Sequence, residues 1–151
     1  MEYLRRKVEQ YGSTFRHPNL ARLETGGPYA LFPANDMLVT DPKMRWDKKW
    51  PNSDLPGVYA IFDQDGNVLY VGKAWTIGSR LSSYFHYEFP MTRDRRCHVV
   101  HKWTHRPTYV ASVAVPKSSR FEAAALEEYL IAELKPSDNK LGIRGREITA
   151  F

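Results

Sequence analysis

The clearest pattern along the chain is a pair of short apolar runs on either side of a polar turn. Residues 57–62 and 68–72 are rich in valine, tyrosine and other residues that favour β-strands. Asp65-Gly66 lies between them and is a preferred hairpin turn, because both central positions of a type I′ turn require positive φ. The pattern therefore predicts two antiparallel strands joined by a two-residue loop.

The length of this loop decides which side chains share a face of the hairpin. A two-residue loop pairs Tyr59 with Gly72 and Ile61 with Tyr70. Since side chains alternate along a strand, Tyr59 and Tyr70 then lie on the same face as diagonal neighbours. A three-residue loop would place the two tyrosines on opposite faces.

A helical pattern follows the hairpin. Ile77, Leu81 and Phe85 recur at four-residue spacing and predict a helix over about 75–85 with these residues buried. Arg80 and Tyr84, also four residues apart, would share a neighbouring face of that helix.

Further elements are predicted towards the C-terminal end. Residues 108–115 alternate small and branched side chains, which predicts a third strand. Ser119 and Glu122 have capping-box spacing and open a helix that Pro136 must end. The strongly basic stretch 92–106 is also predicted to be helical.

The first third of the chain shows no assignable chemistry. Residues 1–11 predict a short polar helix, and the glycines and prolines of 25–43 predict an irregular connection. We expect residues 1–53 to form an N-terminal extension that packs on a core domain over 54–151. The predicted fold class is α/β, with a small, mainly antiparallel sheet of about three strands flanked by helices.

Composition narrows the class of partner. The formal net charge is +5 and the isoelectric point is near 9.3, which favours a polyanionic partner. Cys97 is the single cysteine, so an intramolecular disulfide is excluded and a reducing compartment fits. Since no apolar run approaches the ~20 residues of a membrane span, we expect a cytoplasmic protein without a membrane partner.

One carboxylate of the last helix falls among apolar residues. A helical wheel places Glu127 between Leu134 and Ile131, beside Leu126 and Leu130. An ionised carboxylate at the edge of an apolar stripe is costly unless something compensates its charge. A divalent cation such as Mg²⁺ would do so. A salt bridge to a neighbouring arginine or lysine is the alternative.

The order of these residues resembles the GIY-YIG nuclease family. Gly57-Val58-Tyr59 precedes Tyr70-Val71-Gly72, with the two tyrosines eleven residues apart. Five further family positions follow in order and at compatible spacing, namely Lys73, Arg80, Tyr84, Glu127 and Asn139. Within the family the chain is most similar to the N-terminal nuclease domain of the bacterial nucleotide-excision-repair endonuclease, over residues 56 to about 140.

The resemblance implies the GIY-YIG fold and hydrolysis of a phosphodiester, usually in DNA, assisted by one divalent metal. Glu127 would hold Mg²⁺ or Mn²⁺, which polarises a phosphate oxygen. Tyr59 would accept the proton of the attacking water, helped by Lys73 or the metal because an ordinary tyrosine has a pKa of about 10. Arg80 would counter the charge that builds on the phosphoryl oxygens.

The remaining matched residues receive supporting roles. Tyr70 and Tyr84 would position water or phosphate through hydrogen bonds, while Gly72 and Asn139 would order the chain beside the site. Gly78 lies within a predicted helix, where glycine costs roughly 0.5–1 kcal/mol relative to alanine. It either permits close approach to a phosphate backbone or marks a weak turn.

The basic stretch has three interpretations. It could contact phosphates through its basic residues Arg93, Arg95, Arg96, Lys102 and Arg106. In a helix, Cys97, His101 and His105 would align at four-residue intervals, which a zinc site could use. The third interpretation is a solvated surface.

The biological role stays open at this level. Within the family the choices are a restriction enzyme, a repair or recombination nuclease, and a nuclease of a mobile element. We expect a restriction-like or structure-directed enzyme, because 151 residues leave no room for a separate DNA-reading domain. A restriction enzyme would be expected to cut as a homodimer, because each chain supplies one site for two strands. The alternatives are a non-catalytic nucleic-acid-binding module with the same fold and a ribonuclease.

Overall fold

The computed structural model describes residues 2–31, 50, 52–87, 97–99 and 101–139, with backbone alone for Tyr87, Cys97 and His98. The helices are α1 (Glu2–Phe15), α2 (Ile77–Tyr84) and α3 (Glu122–Leu134). The strands are β1 (Glu24–Ala30), β2 (Gly57–Phe62), β3 (Val68–Ala74), β4 (Phe85–Tyr87), β5 (Cys97–Val99) and β6 (Tyr109–Ala114).

The main sheet is antiparallel throughout, with strand order β1-β6-β2-β3. β4 and β5 form a separate two-stranded ribbon. The predicted α/β class with a small antiparallel sheet flanked by helices is confirmed, and the sheet gains a fourth strand. None of the helices in the described part of the chain is long and apolar enough to cross a membrane.

β1 is the strand that the sequence did not reveal. The interpretation of residues 25–43 as irregular is wrong at its start, where Glu24–Ala30 pairs with β6. The register shifts between Gly26 and Tyr29, so the intervening glycine and proline are accommodated as an irregularity of an edge strand. Residues 32–43 of that stretch lie outside the described chain.

The predicted register of the β2–β3 hairpin is confirmed, although its loop is not the predicted one. Tyr59 pairs with Gly72 and Ile61 with Tyr70. Gly66 has a φ of 83° and its N–H donates to Asp63 O at 3.3 Å, but Asp65 has no positive φ, so the turn is not type I′. The loop has three residues, and a one-residue shift between Ile61 and Phe62 restores the predicted pairing.

Both faces of β2 are buried, so the sheet lies between two layers. Val58, Ala60 and Phe62 face α1 and α3, where they pack with apolar residues such as Leu126 and Leu130. Tyr59 and Ile61 face the opposite side, where they pack with apolar residues of α2, the β4–β5 ribbon and Trp50. This alternation places Tyr59 on the face covered by α2.

The helices occupy nearly their predicted positions. α2 ends at Tyr84 because Phe85 already begins β4, and α3 ends at Leu134 before Lys135, which takes a left-handed φ of 49°. Gly78 lies against Ser53, whose hydroxyl would overlap a side chain there, and its N–H donates to Ser53 O at 2.9 Å. The close approach that Gly78 permits in the folded chain is therefore to the protein itself.

Residues 2–31 contact the rest of the chain through α1 and β1. α1 packs on α3 through a ring contact of 5.3 Å between the centroids of Tyr11 and Tyr129, and β1 extends the sheet beside β6. The division of the chain after residue 53 stays a prediction.

Candidate active site

A cavity of about 650 Å³ opens where α2 and the start of α3 flank the β3 edge of the sheet. Its walls contain every residue predicted to be catalytic, namely Tyr59, Tyr70, Lys73, Arg80, Tyr84 and Glu127. β2 and β3 bring the first three, α2 brings Arg80 and Tyr84, and α3 brings Glu127. The fold thus joins residues that are up to 68 positions apart in the chain.

Three tyrosines form a triangle at the base of this cavity. The ring centroids lie 6.1 Å apart for Tyr59 and Tyr70, 6.0 Å for Tyr59 and Tyr84, and 6.1 Å for Tyr70 and Tyr84. Tyr59 is only 1% exposed, and its hydroxyl donates to the Tyr84 hydroxyl at 3.1 Å. The predicted shared face of the hairpin tyrosines is therefore confirmed and is extended by a third phenol from α2.

Burial changes the chemistry of these phenols. It raises the pKa of Tyr59 well above its ordinary value of 10.0, and the hydrogen bond to Tyr84 adds to the effect. Burial also raises the pKa of Tyr70 to about 12, while Arg80 opposes both shifts. In the folded chain, both phenols therefore keep their protons near neutral pH.

We expect the free energy of unfolding to fall steeply above pH 10. A tyrosine with a raised pKa stays protonated in the folded chain while the unfolded chain ionises, so stability is complete below pH 10 and is lost as pH rises. Tyr59→Phe should reduce the decline between pH 10 and 12 by about 1.4 kcal/mol per pH unit, as measured by urea unfolding. Tyr3→Phe, which removes an exposed phenol of α1, is the matched control, and equal slopes for wild type and Tyr59→Phe would contradict this expectation.

Gly72 permits the two hairpin tyrosines to meet over β3. A Cβ at this position would lie 2.5 Å from the Tyr59 hydroxyl and 2.7 Å from the Tyr70 ring. Real Cβ atoms essentially never come so close, so any side chain here must displace a tyrosine. The predicted supporting role of Gly72 thus has a steric basis in this structure.

Glu127 is held against the edge of β3 by Lys73. One carboxylate oxygen accepts the backbone N–H of Lys73 at 2.9 Å, and the other is paired with the Lys73 ammonium group. The salt bridge that the sequence left as an alternative is therefore present. It does not close the site, because both side chains line the cavity and Lys73 is 51% exposed.

Asn139 binds the backbone of β3 along the same edge. Its side-chain oxygen accepts the N–H of Val71 at 2.7 Å, and its amide donates to Val71 O at 2.7 Å. The next outward N–H of this edge strand belongs to Lys73 and is satisfied by Glu127. Asn139 thus supports the position of Glu127 without lining the cavity, as the sequence predicted for a structural residue near the site.

The donor set of the cavity suits a hard divalent cation. Glu127 supplies the carboxylate, and each of its oxygens has a lone pair beyond the one used with Lys73. Mg²⁺ is commonly bound by one or two carboxylates, with waters and substrate phosphates at its other positions. Within the described chain, no group of three or more His, Cys, Asp or Glu side chains could hold a metal ion.

Where the structure describes it, the basic stretch is not the predicted helix. Cys97–Val99 is strand β5, and residues 101–108 have no helical turn. His101 packs on Tyr84 with ring centroids 5.1 Å apart. His105 instead lies near Asp63 of the hairpin turn. Burial raises the pKa of the Asp63 carboxyl, but hydrogen bonds from Asn67 and the Asp65 N–H, with a smaller contribution from His105, lower it below its ordinary value. The helical alignment that a zinc site required is therefore absent.

The predicted phosphate contacts of this stretch stay predictions. Lys102 and Arg106 are exposed. Trp103, next to Lys102 in the chain, packs its ring on Tyr70 and Tyr84 at 6.0 and 5.9 Å between centroids. Arg93, Arg95 and Arg96 lie outside the described residues.

The cavity also has large side chains that the sequence did not single out. Trp75, Arg120 and Phe121 lie at its mouth, with Trp75 67% exposed and Phe121 75% exposed. No local pattern marked them, because Trp75 lies just before α2 and the other two lie just before α3. Only the fold brings the starts of these two helices together.

Comparison with known proteins agrees with this geometry. Residues 55–140 match the model of the UvrC-like GIY-YIG domain. The chain is 37% identical over 88 residues to UvrABC system protein C of Porphyromonas gingivalis, and 41% identical over 86 residues to that of Alcanivorax borkumensis. These matches cover 58% and 57% of this chain but only 13% of each relative.

The matched interval contains β2, β3, α2 and α3, and so every predicted catalytic residue from Tyr59 to Glu127. It also spans more than half of the chain. The chain therefore belongs to the GIY-YIG family, as a member with a UvrC-like GIY-YIG domain.

Proposed function

We propose that this protein is an endonuclease that hydrolyses phosphodiester bonds in DNA with the help of Mg²⁺ or Mn²⁺. The observation that carries the proposal is the convergence of Glu127, Arg80 and the tyrosine triangle on one open cavity. A non-catalytic binding module would have no need to bring an acid, a cation and three phenols together. The likeness to the nuclease domain of an excision-repair system favours a repair role over restriction.

In this proposal each side chain acts on a different part of the reaction. Hydrolysis joins a water oxygen to phosphorus, breaks one P–O ester bond and moves a proton from the water to the leaving oxygen. Arg80 lines the cavity wall, where its planar cation would stabilise charge on the phosphoryl oxygens. Glu127 would hold the divalent metal, which when bound supplies Lewis-acid polarisation of the phosphate.

The raised pKa of Tyr59 limits its proposed role as proton acceptor. As a proton acceptor it must first lose its own proton, and burial holds its pKa high. Positive charge in the loaded site must therefore lower that pKa, as Arg80 already does in the free chain. Otherwise Tyr59 keeps its proton, donates it to the Tyr84 hydroxyl in the hydrogen bond of 3.1 Å, and orients the attacking water by accepting a hydrogen bond from it.

The proposal is tested by incubating plasmid, branched DNA and RNA of equal length with the protein and Mg²⁺ or Mn²⁺. We expect cleavage of DNA, and Tyr59→Phe should lower the initial rate about 10²–10⁴-fold if the phenol transfers the proton. Tyr84→Phe keeps the Tyr59 phenol and removes only its hydrogen-bond partner, so it should lower the rate less. Tyr3→Phe on α1 is the control and should leave the rate unchanged, because Tyr3 does not line the cavity. A wild-type rate for Tyr59→Phe would remove Tyr59 from proton transfer, and absence of DNA cleavage would refute the function.

The same assay decides the biological role. Discrete plasmid fragments would indicate restriction, cleavage confined to branched or damaged DNA would indicate repair, and cleavage of RNA alone would indicate a ribonuclease.

Sedimentation of the free protein and of its DNA complex would test the predicted homodimer.

A further inference from the structure

The mouth of the cavity carries an aromatic rim made of Trp75 and Phe121. Trp75 follows β3 and precedes α2, whereas Phe121 is the residue before α3. The two side chains are 67% and 75% exposed, in contrast to the buried Tyr59 at the base. The guanidinium of Arg120 lies over the Trp75 ring at 4.7 Å from its centroid. The rim thus combines two exposed aromatic surfaces with a cation.

Single exposed aromatic residues are common on protein surfaces and need no function. This rim differs because both aromatic residues line the same cavity as the candidate catalytic groups. They also come from separate elements that are joined only by the fold. A ligand bound in the cavity therefore lies beside both of them.

We propose that Trp75 and Phe121 stack on an unpaired nucleobase next to the phosphodiester to be cut. This inference rests on the proposed function and names its substrate class: DNA in which a base near the cleavage position is bulged, flipped out or single-stranded.

The chemistry of the rim favours a base over other occupants. Aromatic side chains combined with basic groups are the arrangement that binds single-stranded nucleic acid, because every base has a face to stack on. Arg120 at the rim and Arg80 and Lys73 in the cavity provide positive charge for the flanking phosphates. Within a regular duplex the base faces are covered by neighbouring pairs, so a flat aromatic residue reaches them only after a base leaves the stack.

The test measures binding in EDTA, so that cleavage does not interfere. Three fluorescein-labelled duplexes of one sequence are compared by anisotropy: fully paired, with one bulged adenine, and with the same bulge carrying an abasic nucleotide. The full-length protein should bind the adenine bulge about 5- to 150-fold more tightly than the abasic bulge, as stacking of 1–3 kcal/mol per base implies.

The variants assign this preference to the rim. Trp75→Ala combined with Phe121→Ala should bind both bulges equally, whereas Trp75→Phe should keep most of the preference because it keeps an aromatic face. Phe15→Ala removes an exposed aromatic ring on α1 and should behave as wild type. Circular dichroism melts check that each variant is folded.

Equal affinity of the wild-type protein for the adenine and abasic bulges would overturn the inference, as would an unchanged preference in the double variant. Failure of the proposed function has a different signature. In that case no DNA is cut when Mg²⁺ is added, whatever the binding data show. If the protein cuts DNA but shows no preference for the bulged base, the proposed function stands and only the stacking role of Trp75 and Phe121 is refuted.

Discussion

Glu127→Gln is expected to lower the initial rate of DNA cleavage about 10³-fold or more, since metal-assisted charge stabilisation contributes several kcal/mol to the transition state. The substitution keeps the size of the side chain, and its amide oxygen can still accept the Lys73 N–H. It removes the negative charge that the donor set offers to a divalent cation. The ion pair with Lys73 is also lost, but Lys73 is 51% exposed, so stability should change little.

Glu128→Gln is the matched control for this prediction. Glu128 is the next residue of α3, carries the same charge and is exposed. Its substitution should leave the cleavage rate within about twofold, since it changes net charge equally without touching the cavity. Rates at saturating Mg²⁺ and melting curves of both variants are compared with wild type. An equal loss in both variants would mean that net charge, and not a carboxylate at residue 127, controls the reaction.

Removing one partner of the Arg16–Glu122 pair is expected to cause the largest loss of stability. Arg16 near the end of α1 reaches Glu122 at the start of α3, with a second contact of 3.2 Å between Nη2 and Oε2. The side chains are 6% and 9% exposed. Breaking a buried ion pair leaves an uncompensated charge and costs about 3–5 kcal/mol. For a chain of this size, Arg16→Met should lower Tm by roughly 6–20 °C.

The double variant Arg16→Met with Glu122→Met should recover most of that loss, because replacing both buried charges by apolar side chains is often neutral. Lys7→Met supplies the comparison, since Lys7 joins the same two helices through Glu133 in a more exposed pair. Its Tm should change much less. If Arg16→Met and Lys7→Met lowered Tm equally, burial would not be the source of the stability. Arg16→Met should retain DNA cleavage well below its Tm, because the pair does not line the cavity.

This ion pair also corrects one interpretation of the sequence. The spacing of Ser119 and Glu122 was interpreted as a capping box, which would have explained Glu122 locally. The Ser119 hydroxyl does lie 3.4 Å from the Glu122 carboxylate, but α3 begins only at Glu122. The main partner of this carboxylate is Arg16. A partner 106 residues away leaves no mark in the local sequence, so this error could not be avoided from spacing alone.

The β2–β3 hairpin has the predicted pairing, but a different loop produces it. The sequence predicted the shared face of Tyr59 and Tyr70 from a two-residue Asp65-Gly66 loop. The turn type depends on the backbone angles of a few residues, and this part of the prediction is wrong. The loop has three residues, and the one-residue shift beside Phe62 restores the pairing of Ile61 with Tyr70. Since both faces of β2 are buried, the shared face depends on this shift and not on an alternating burial pattern in β2.

The basic stretch and β1 show where local patterns are weakest. Charged residues fit a solvated helix, a strand or a bend equally well, so 92–106 had no apolar period to decide its structure. Glu24–Ala30 contains two glycines and a proline and has little strand propensity of its own. It becomes a strand because β6 offers an edge with which it can pair.

By itself, the sequence determined the two strands of the hairpin, the two site-bearing helices and six of the side chains that the cavity brings together, because apolar periodicity and motif order are local properties. Only the tertiary structure decided the rest. It showed that Lys73 holds Glu127 at a strand edge, that burial keeps the Tyr59 proton in place, and that Trp75 and Phe121 share one opening. Each of these depends on the distance between residues far apart in the chain, which no local pattern contains.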